Sequence, residues 1–266
     1  MELRFGREAI ERNCEEFYGL YENFEGRDYD MCMAKLEHTR IVASNCDRIA
    51  RGFGLSGYEI DLAWIIGLLH DFARFGQIVV THTFNDSNEY NHAHVGAYPL
   101  FKYHMVEDIV PEYDKIPDED KLAMAKADYH HSDFHPPNNL TPRERFFCDL
   151  IRDADQLDIF RTIVVSGWKT IYGRSKEEIL ASDFSDEIVQ AFYKHELADY
   201  SKRVTPADFH LAHIALCFGL RSEAALSRVV EQGYLAQMMD IEFVDPQVQK
   251  KYEGIKEQVR SRLPLS

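Results

Sequence analysis

The sequence predicts an all-α protein. Apolar residues recur at helical spacing in nearly every periodic segment of the 266-residue chain. Clusters of Gly, Pro and Asn bound those segments. Only Val79-Val80-Thr81 reads as a short strand. Hydrophobic residues make up 45% of the chain, enough for a packed core, and one domain over 1–266 is expected.

The helices are placed in order along the chain. Residues 6–24 and 29–52 are the first two, the second stopping where Gly52, Gly54 and Gly57 mark a loop. Residues 57–71 follow, on the run Ile60-Asp61-Leu62-Ala63-Trp64-Ile65-Ile66-Gly67-Leu68-Leu69, long and rich in Leu, Ile and Ala. A loop is expected from Thr81 to Asn91. Residues 91–105 and 118–132 flank a second loop, Pro111 to Pro117. Pro136-Pro137-Asn138-Asn139 breaks the chain before 142–159. There Thr141-Pro142-Arg143-Glu144 gives a capping residue, a Pro at the first position and a Glu three after the cap. Helices at 175–181, 185–198, 206–231 and 245–262 complete the chain.

Composition excludes some functions. The net charge is −15 and the isoelectric point near 5.2, which opposes a nucleic-acid polymer as partner. A small phosphorylated substrate stays open, because bound cations reverse the local field. Cys14, Cys32, Cys46, Cys148 and Cys217 are scattered with no CxxC pair, the pattern of reduced thiols in a cytoplasmic protein. The start, MELRFGREAIERNCEEF, has no apolar signal segment. No membrane span is expected.

Chemistry gathers at His70-Asp71, the closed end of the apolar run. His70 shares a helical face with Ala63, Ile66 and Gly67. A buried polar group without a partner costs about 2–7 kcal/mol. A divalent ion satisfies imidazole and carboxylate together. His38 shares a face with Ala34, Ile41 and Val42, and Asp155 with Phe147, Ile151 and Ile159. Three ligand-type residues on apolar faces point to one metal site.

The order of His38, His70-Asp71 and Asp155 resembles the HD superfamily of metal-dependent phosphohydrolases. Leu68-Leu69-His70-Asp71-Phe72-Ala73-Arg74 is similar to the family's LLHDIGK segment. Ile151-Arg152-Asp153-Ala154-Asp155-Gln156-Leu157-Asp158 is similar to its IxDADKLD segment, and Glu37-His38-Thr39-Arg40-Ile41-Val42 to its first ligand helix. The resemblance implies an HD-domain-like helical bundle, with a ligand core over about 30–165 and supporting C-terminal helices over about 166–266. It also implies a first ion held by His38, His70, Asp71 and Asp155.

Asn91-His92-Ala93-His94-Val95-Gly96-Ala97 resembles the family's HxxxGA segment, in which the His four before the Gly selects His92. The His130-His131 pair resembles the later histidine of binuclear members. The implied second site is His92, His130 and a shared Asp71. Imidazoles and carboxylates suit one or two divalent ions among Mn, Fe, Co, Ni and Zn, with Mg possible. Arg74 takes the place of the lysine in HDxxK and is expected to steady phosphoryl oxygens, while Asp71 serves both ions. His94, His131 and His135 are open between substrate contact, ligand support and surface. His82, His104, His195, His210 and His213 read as structural or surface residues.

Signalling phosphodiesterases of the HD-GYP type carry a Gly-Tyr-Pro stretch after the double histidine. Here the chain continues Ser132-Asp133-Phe134-His135-Pro136-Pro137, which sets cyclic-dinucleotide hydrolysis aside. The implied reaction is hydrolysis of a small phosphorylated metabolite or nucleotide by a metal-activated hydroxide. The alternatives are a di-iron oxygenase with the same ligands and a degenerate nucleotide-binding sensor.

Overall fold

The structure, a computed structural model, describes residues 3–19, 24–87 and 90–264. Every regular element among them is helical, with no strand. Residues 20–23, the end of the expected 6–24 helix, and residues 88–89 of the expected 81–91 loop lie outside the described residues. The chain divides into two compact units, residues 1–155 and 156–266. The division falls within one helix.

Unit 1 holds α1 (Arg7–Gly19), α2 (Gly26–Gly52), α3 (Gly57–Leu69), α4 (Arg74–Thr81), α5 (His92–Ala97), α6 (Met105–Ile109), α7 (Asp118–His130) and the first part of α8 (Pro142–Ser166). Ser56 and Glu59 form a reciprocal capping box that starts α3. Nearly all of α3 is then buried, from Ile60 to Leu69. Gly67 sets its approach to α2: a Cβ there would lie 2.7 Å from Ala43 Cα. Backbones therefore pass almost in contact, and the His38 and His70 rings come to 5.4 Å.

The expected strand at Val79-Val80-Thr81 is corrected: these residues end α4. Phe75 and Ile78 point inward at helical spacing, while Val79 and Val80 are exposed. The apolar pair lies on the solvent face of a helix, so burial of Phe75 and Ile78 outweighs β-propensity. The expected helix over 91–105 is also broken. Asn91 caps α5 by accepting from His94 N, a π turn with Pro99 follows over Tyr98–Lys102, and α6 is separate. One stretch, Gly57–Thr81, has the length and hydropathy of a membrane span, contrary to expectation. Most of it is buried inside the protein, as a core helix would be, and it is interrupted at residues 70–73.

Unit 2 contains the end of α8, α9 (Trp168–Tyr172), α10 (Lys176–Leu180), α11 (Asp186–Lys194), α12 (Pro206–Ile214), α13 (Glu223–Gln232), α14 (Tyr234–Met239) and α15 (Pro246–Arg262). The expected 206–231 helix is two helices. A 3₁₀ turn at Ala215–Phe218 closes the first, and Ser222 caps the second by accepting from Ala225 N. Gly219 lies between them, where a Cβ would come within 2.8 Å of the Gln156 and Leu197 side chains. Phe192, Tyr252, Ile188 and Val259 anchor the core of this unit.

Candidate metal centre

Five elements of unit 1 bring His38, His70, Asp71, His92, His131 and Asp155 together. His38 comes from α2 and Asp155 from α8. His70 and His131 are each the first residue past a helix, α3 and α7. Both are fixed alike. His70 Nδ1 donates to Gly67 O at 2.8 Å, and His131 Nδ1 donates to Asp128 O at 2.6 Å, each to the carbonyl three residues back. The proton held on Nδ1 leaves Nε2 as a lone pair aimed into the site.

His92 reaches the site through Gly96. Both lie on one face of α5, at i and i+4. A Cβ on Gly96 would stand 3.2 Å from Ala73 N, so α5 packs on the turn that carries Asp71. That contact is the physical content of the His-to-Gly spacing. His92 Nδ1 donates to Asp86 Oδ2 at 2.7 Å, again leaving Nε2 to face inward.

Asp71 sits at the middle with its oxygens divided. Oδ2 lies 3.4 Å from His38 Nε2 and 3.3 Å from His70 Nε2. Oδ1 lies 3.4 Å from His92 Nε2. Asp155 Oδ1 completes the first side, 3.0 Å from His38 Nε2 and 3.8 Å from His70 Nε2. Two groups with metal-ligand spacing result, His38-His70-Asp71 and Asp71-His92-His131, all buried.

The residues fit a cation. His70 Nε2 is buried and makes no hydrogen bond, despite the carboxylates nearby. On the other side, His92 Nε2 and His131 Nε2 face each other at 3.0 Å, both with Nδ1 committed elsewhere. Two lone pairs at that separation repel unless a cation lies between them. Burial, then the neighbouring Arg74, lowers the pKa of His92. Burial, then His92 and His70, lowers that of His131 further. Burial pushes the Asp71 carboxyl up, but Lys35, His70 and Arg74 outweigh it and keep it ionised. Burial likewise opposes ionisation of Asp155, and His38 reverses the effect.

His130 does not join the second group; His131 stands in its place. The His130 ring turns to Asp133, with Nδ1 2.6 Å from Oδ2. Successive helical residues point about 100° apart, so the roll of α7 admits one of the two. Ala123, Met124 and Ala127 are buried and set that roll. His94 points away, its Nε2 3.2 Å from Asp133 Oδ1 and its ring stacked on Tyr129.

Arg74 lies beside the site but is tied to the following loop. Its Nη1 donates to Gln77 Oε1 at 2.6 Å, Phe84 O at 2.7 Å and Asp86 Oδ1 at 3.0 Å, and its Nε to Asp71 Oδ1 at 3.4 Å. Gln77 Nε2 adds a bond to Asp86 Oδ1 at 3.1 Å. Arg74 thus fixes Asp86, which orients His92. The expected contact with phosphoryl oxygens would compete with these four acceptors.

Sequence reasoning missed four residues here. Lys35 Nζ donates to Asp71 Oδ2; it lies three before His38, on the same face of α2. Asp86 orients His92 from a loop, with no periodic signal to mark it. Arg152 Nη1 donates to His131 O at 2.8 Å and to Asp133 O, pinning the turn after α7. Asp128 is buried with neither carboxyl oxygen hydrogen-bonded, and burial followed by the Asp71 charge raises its pKa well above the usual range.

The HD domain family matches the chain from Leu36 to Ile159. Over residues 36–159 the chain is similar to an HD domain. The match opens two residues before His38 and closes four past Asp155, so it contains all six clustered residues. Comparison with curated proteins and with solved structures gave no match. HD domains are all-α, bind divalent metals and are in general metal-dependent phosphohydrolases. The His/Asp groups of this chain could hold such ions.

Proposed function

We propose that unit 1 hydrolyses a phosphate ester or anhydride of a small metabolite or nucleotide. One observation carries the reading: two His/Asp groups share Asp71, whose oxygens face opposite sides. His38, His70, Asp71 and Asp155 would hold one ion, and Asp71, His92 and His131 a second. Divalent ions there would supply Lewis acidity and an activated water, with Mn, Fe, Co, Ni or Zn favoured by the imidazoles and Mg possible. The chain's own residues do the rest. Hydrogen bonds to Gly67 O, Asp128 O and Asp86 orient three imidazoles before any ligand arrives. Asp71 and Asp155 would offset part of the charge of the ions. Burial of the cluster keeps bulk water from screening it.

The chain carries −15 overall, so an anion is repelled at long range and must be attracted by the site itself. That charge also supports a small substrate rather than a nucleic-acid polymer or an anionic membrane. All five cysteines are free and buried, in keeping with a cytoplasmic setting.

The test is elemental analysis of purified protein together with a panel of phosphorylated metabolites. Metal-dependent release of phosphate, abolished by a chelator, is expected. Failure on every phosphorylated compound with Mn, Fe, Co, Ni, Zn and Mg, together with oxygen uptake by iron-loaded protein on an organic substrate, would replace hydrolysis with oxygenation.

A further inference from the structure

We infer that Lys35 is a side chain that meets the anionic oxygens of the substrate. The inference rests on the phosphohydrolase reading above and assigns its anion contact.

Two cations stand at Asp71, and the structure divides their work. Arg74 holds the place in the sequence where the HDxxK lysine is expected. Its guanidinium, however, spans Asp71, Gln77, Phe84 O and Asp86. These bonds use Nη1 and Nε, so the planar fork has fixed geometry and only Nη2 is left to face a ligand. Releasing it would also release Asp86, and with it the orientation of His92.

Lys35 is differently placed. Among the described residues its Nζ donates to one acceptor, Asp71 Oδ2. An ammonium has three N–H donors, so two remain. Its side chain is 13% exposed, so it is neither sealed in the core nor loose in solvent. Phe84 separates the two cations: its carbonyl takes Arg74, and its ring lies 5.4 Å from Lys35 Nζ. The aromatic face restrains the ammonium without using an N–H donor. Asp71 Oδ2, the oxygen Lys35 touches, is also the one facing His38 and His70. An oxyanion bound at that side of Asp71 therefore comes within reach of the two spare donors. Lys35 lies one residue before the segment that matches the HD family, so the assignment does not come with the match.

The ligand class is a phosphoryl oxyanion, and inorganic phosphate is a sufficient probe. Full-length protein is loaded with Mn, its metal content measured, and phosphate binding followed by calorimetry. Lys35→Met keeps the length of the side chain and removes its charge. It is expected to keep the Mn content of the wild type and to weaken phosphate binding at least tenfold. Lys35→Arg, which restores a cation, should recover most of that loss. Wild-type phosphate affinity in Lys35→Met at full Mn content overturns the assignment and leaves the phosphohydrolase reading standing. Loss of Mn from Lys35→Met also overturns it, since Lys35 would then serve to hold Asp71. Absence of phosphate binding by the Mn-loaded wild type overturns the phosphohydrolase reading and the assignment together.

Discussion

In unit 2, His210 is as deeply buried as His70 is in unit 1, at 0% and 1% exposure. Their nitrogens are used differently. His210 Nε2 donates to Met238 O at 2.9 Å, and its Nδ1 faces the Tyr172 hydroxyl at 3.3 Å. Both nitrogens have partners, so the ring is complete within the protein. His70 spends Nδ1 on Gly67 O and leaves Nε2 without a hydrogen bond. The carboxylates repeat the contrast. Asp208 is fully buried and accepts from Ser185 N, Ser185 Oγ, Val204 N and Thr205 N, all within 2.9 Å. Asp71 accepts from Lys35 Nζ and Arg74 Nε, but three imidazole nitrogens also ring it at 3.3–3.4 Å. Burial alone does not mark a ligand. The mark is a buried imidazole nitrogen whose hydrogen-bonding capacity the protein leaves unused.

The contrast breaks most completely at Asp71. Asp71→Ala removes the carboxylate that both groups share, and metal content measured after dialysis should fall to background. The loss of affinity should exceed the roughly 10–100-fold that follows removal of an outer hydrogen-bond partner. Asp208→Ala, by comparison, should lower the unfolding midpoint and leave metal content unchanged.

Next comes the choice between neighbouring histidines. His131→Ala should reduce bound Mn from two ions per chain towards one. His130→Ala should leave the stoichiometry at two, because its ring is bonded to Asp133. Equal loss in the two variants would show that the roll of α7 differs from that described.

A smaller effect is expected one bond farther out. Asp86→Asn keeps the size of the side chain and weakens its hold on His92. The affinity of the weaker ion should drop about 10–100-fold, and Arg74→Met should act in the same direction through the loss of its bond to Asp86. Competition with a metallochromic chelator would measure both.

The last effect belongs to unit 2 and appears only with pH. Burial lowers the pKa of His210 from the usual 6.5 to about 4. The folded chain thus resists the proton, and the unfolded chain takes it up first as pH falls. Stability is full above pH 6.5 and declines towards pH 4, by about 3 kcal/mol in all. His210→Gln cannot titrate, and urea titrations of the full chain should show a shallower fall over that window. Metal content at pH 7 should match the wild type.

Much of unit 1 was legible because its signals are local. The apolar run before His70 marks a buried helix end whatever surrounds it, and the cap at Ser56 confirms its start. His38 and Asp155 stand out as polar residues on apolar faces. The spacing from His92 to Gly96 was readable as a pattern, although its cause, a close pass against Ala73, was not. The misread segments failed where neighbours decide. Val79 and Val80 favour a strand by composition and lie on the exposed side of α4, and the helix over 206–231 is broken beside Gly219.

The sequence by itself determined that the chain is helical and that His38, His70 and Asp155 are ligand-type residues on apolar helix faces. Period and burial pattern suffice for that, since one turn of helix fixes which residues share a face. The tertiary structure decided which of His130 and His131 turns inward, that Arg74 serves Asp86, and that Lys35 stands free-handed at Asp71. Each of these depends on the roll of a helix or the path of a loop against a distant segment. Such choices are made by long-range packing, which no local pattern along the chain encodes.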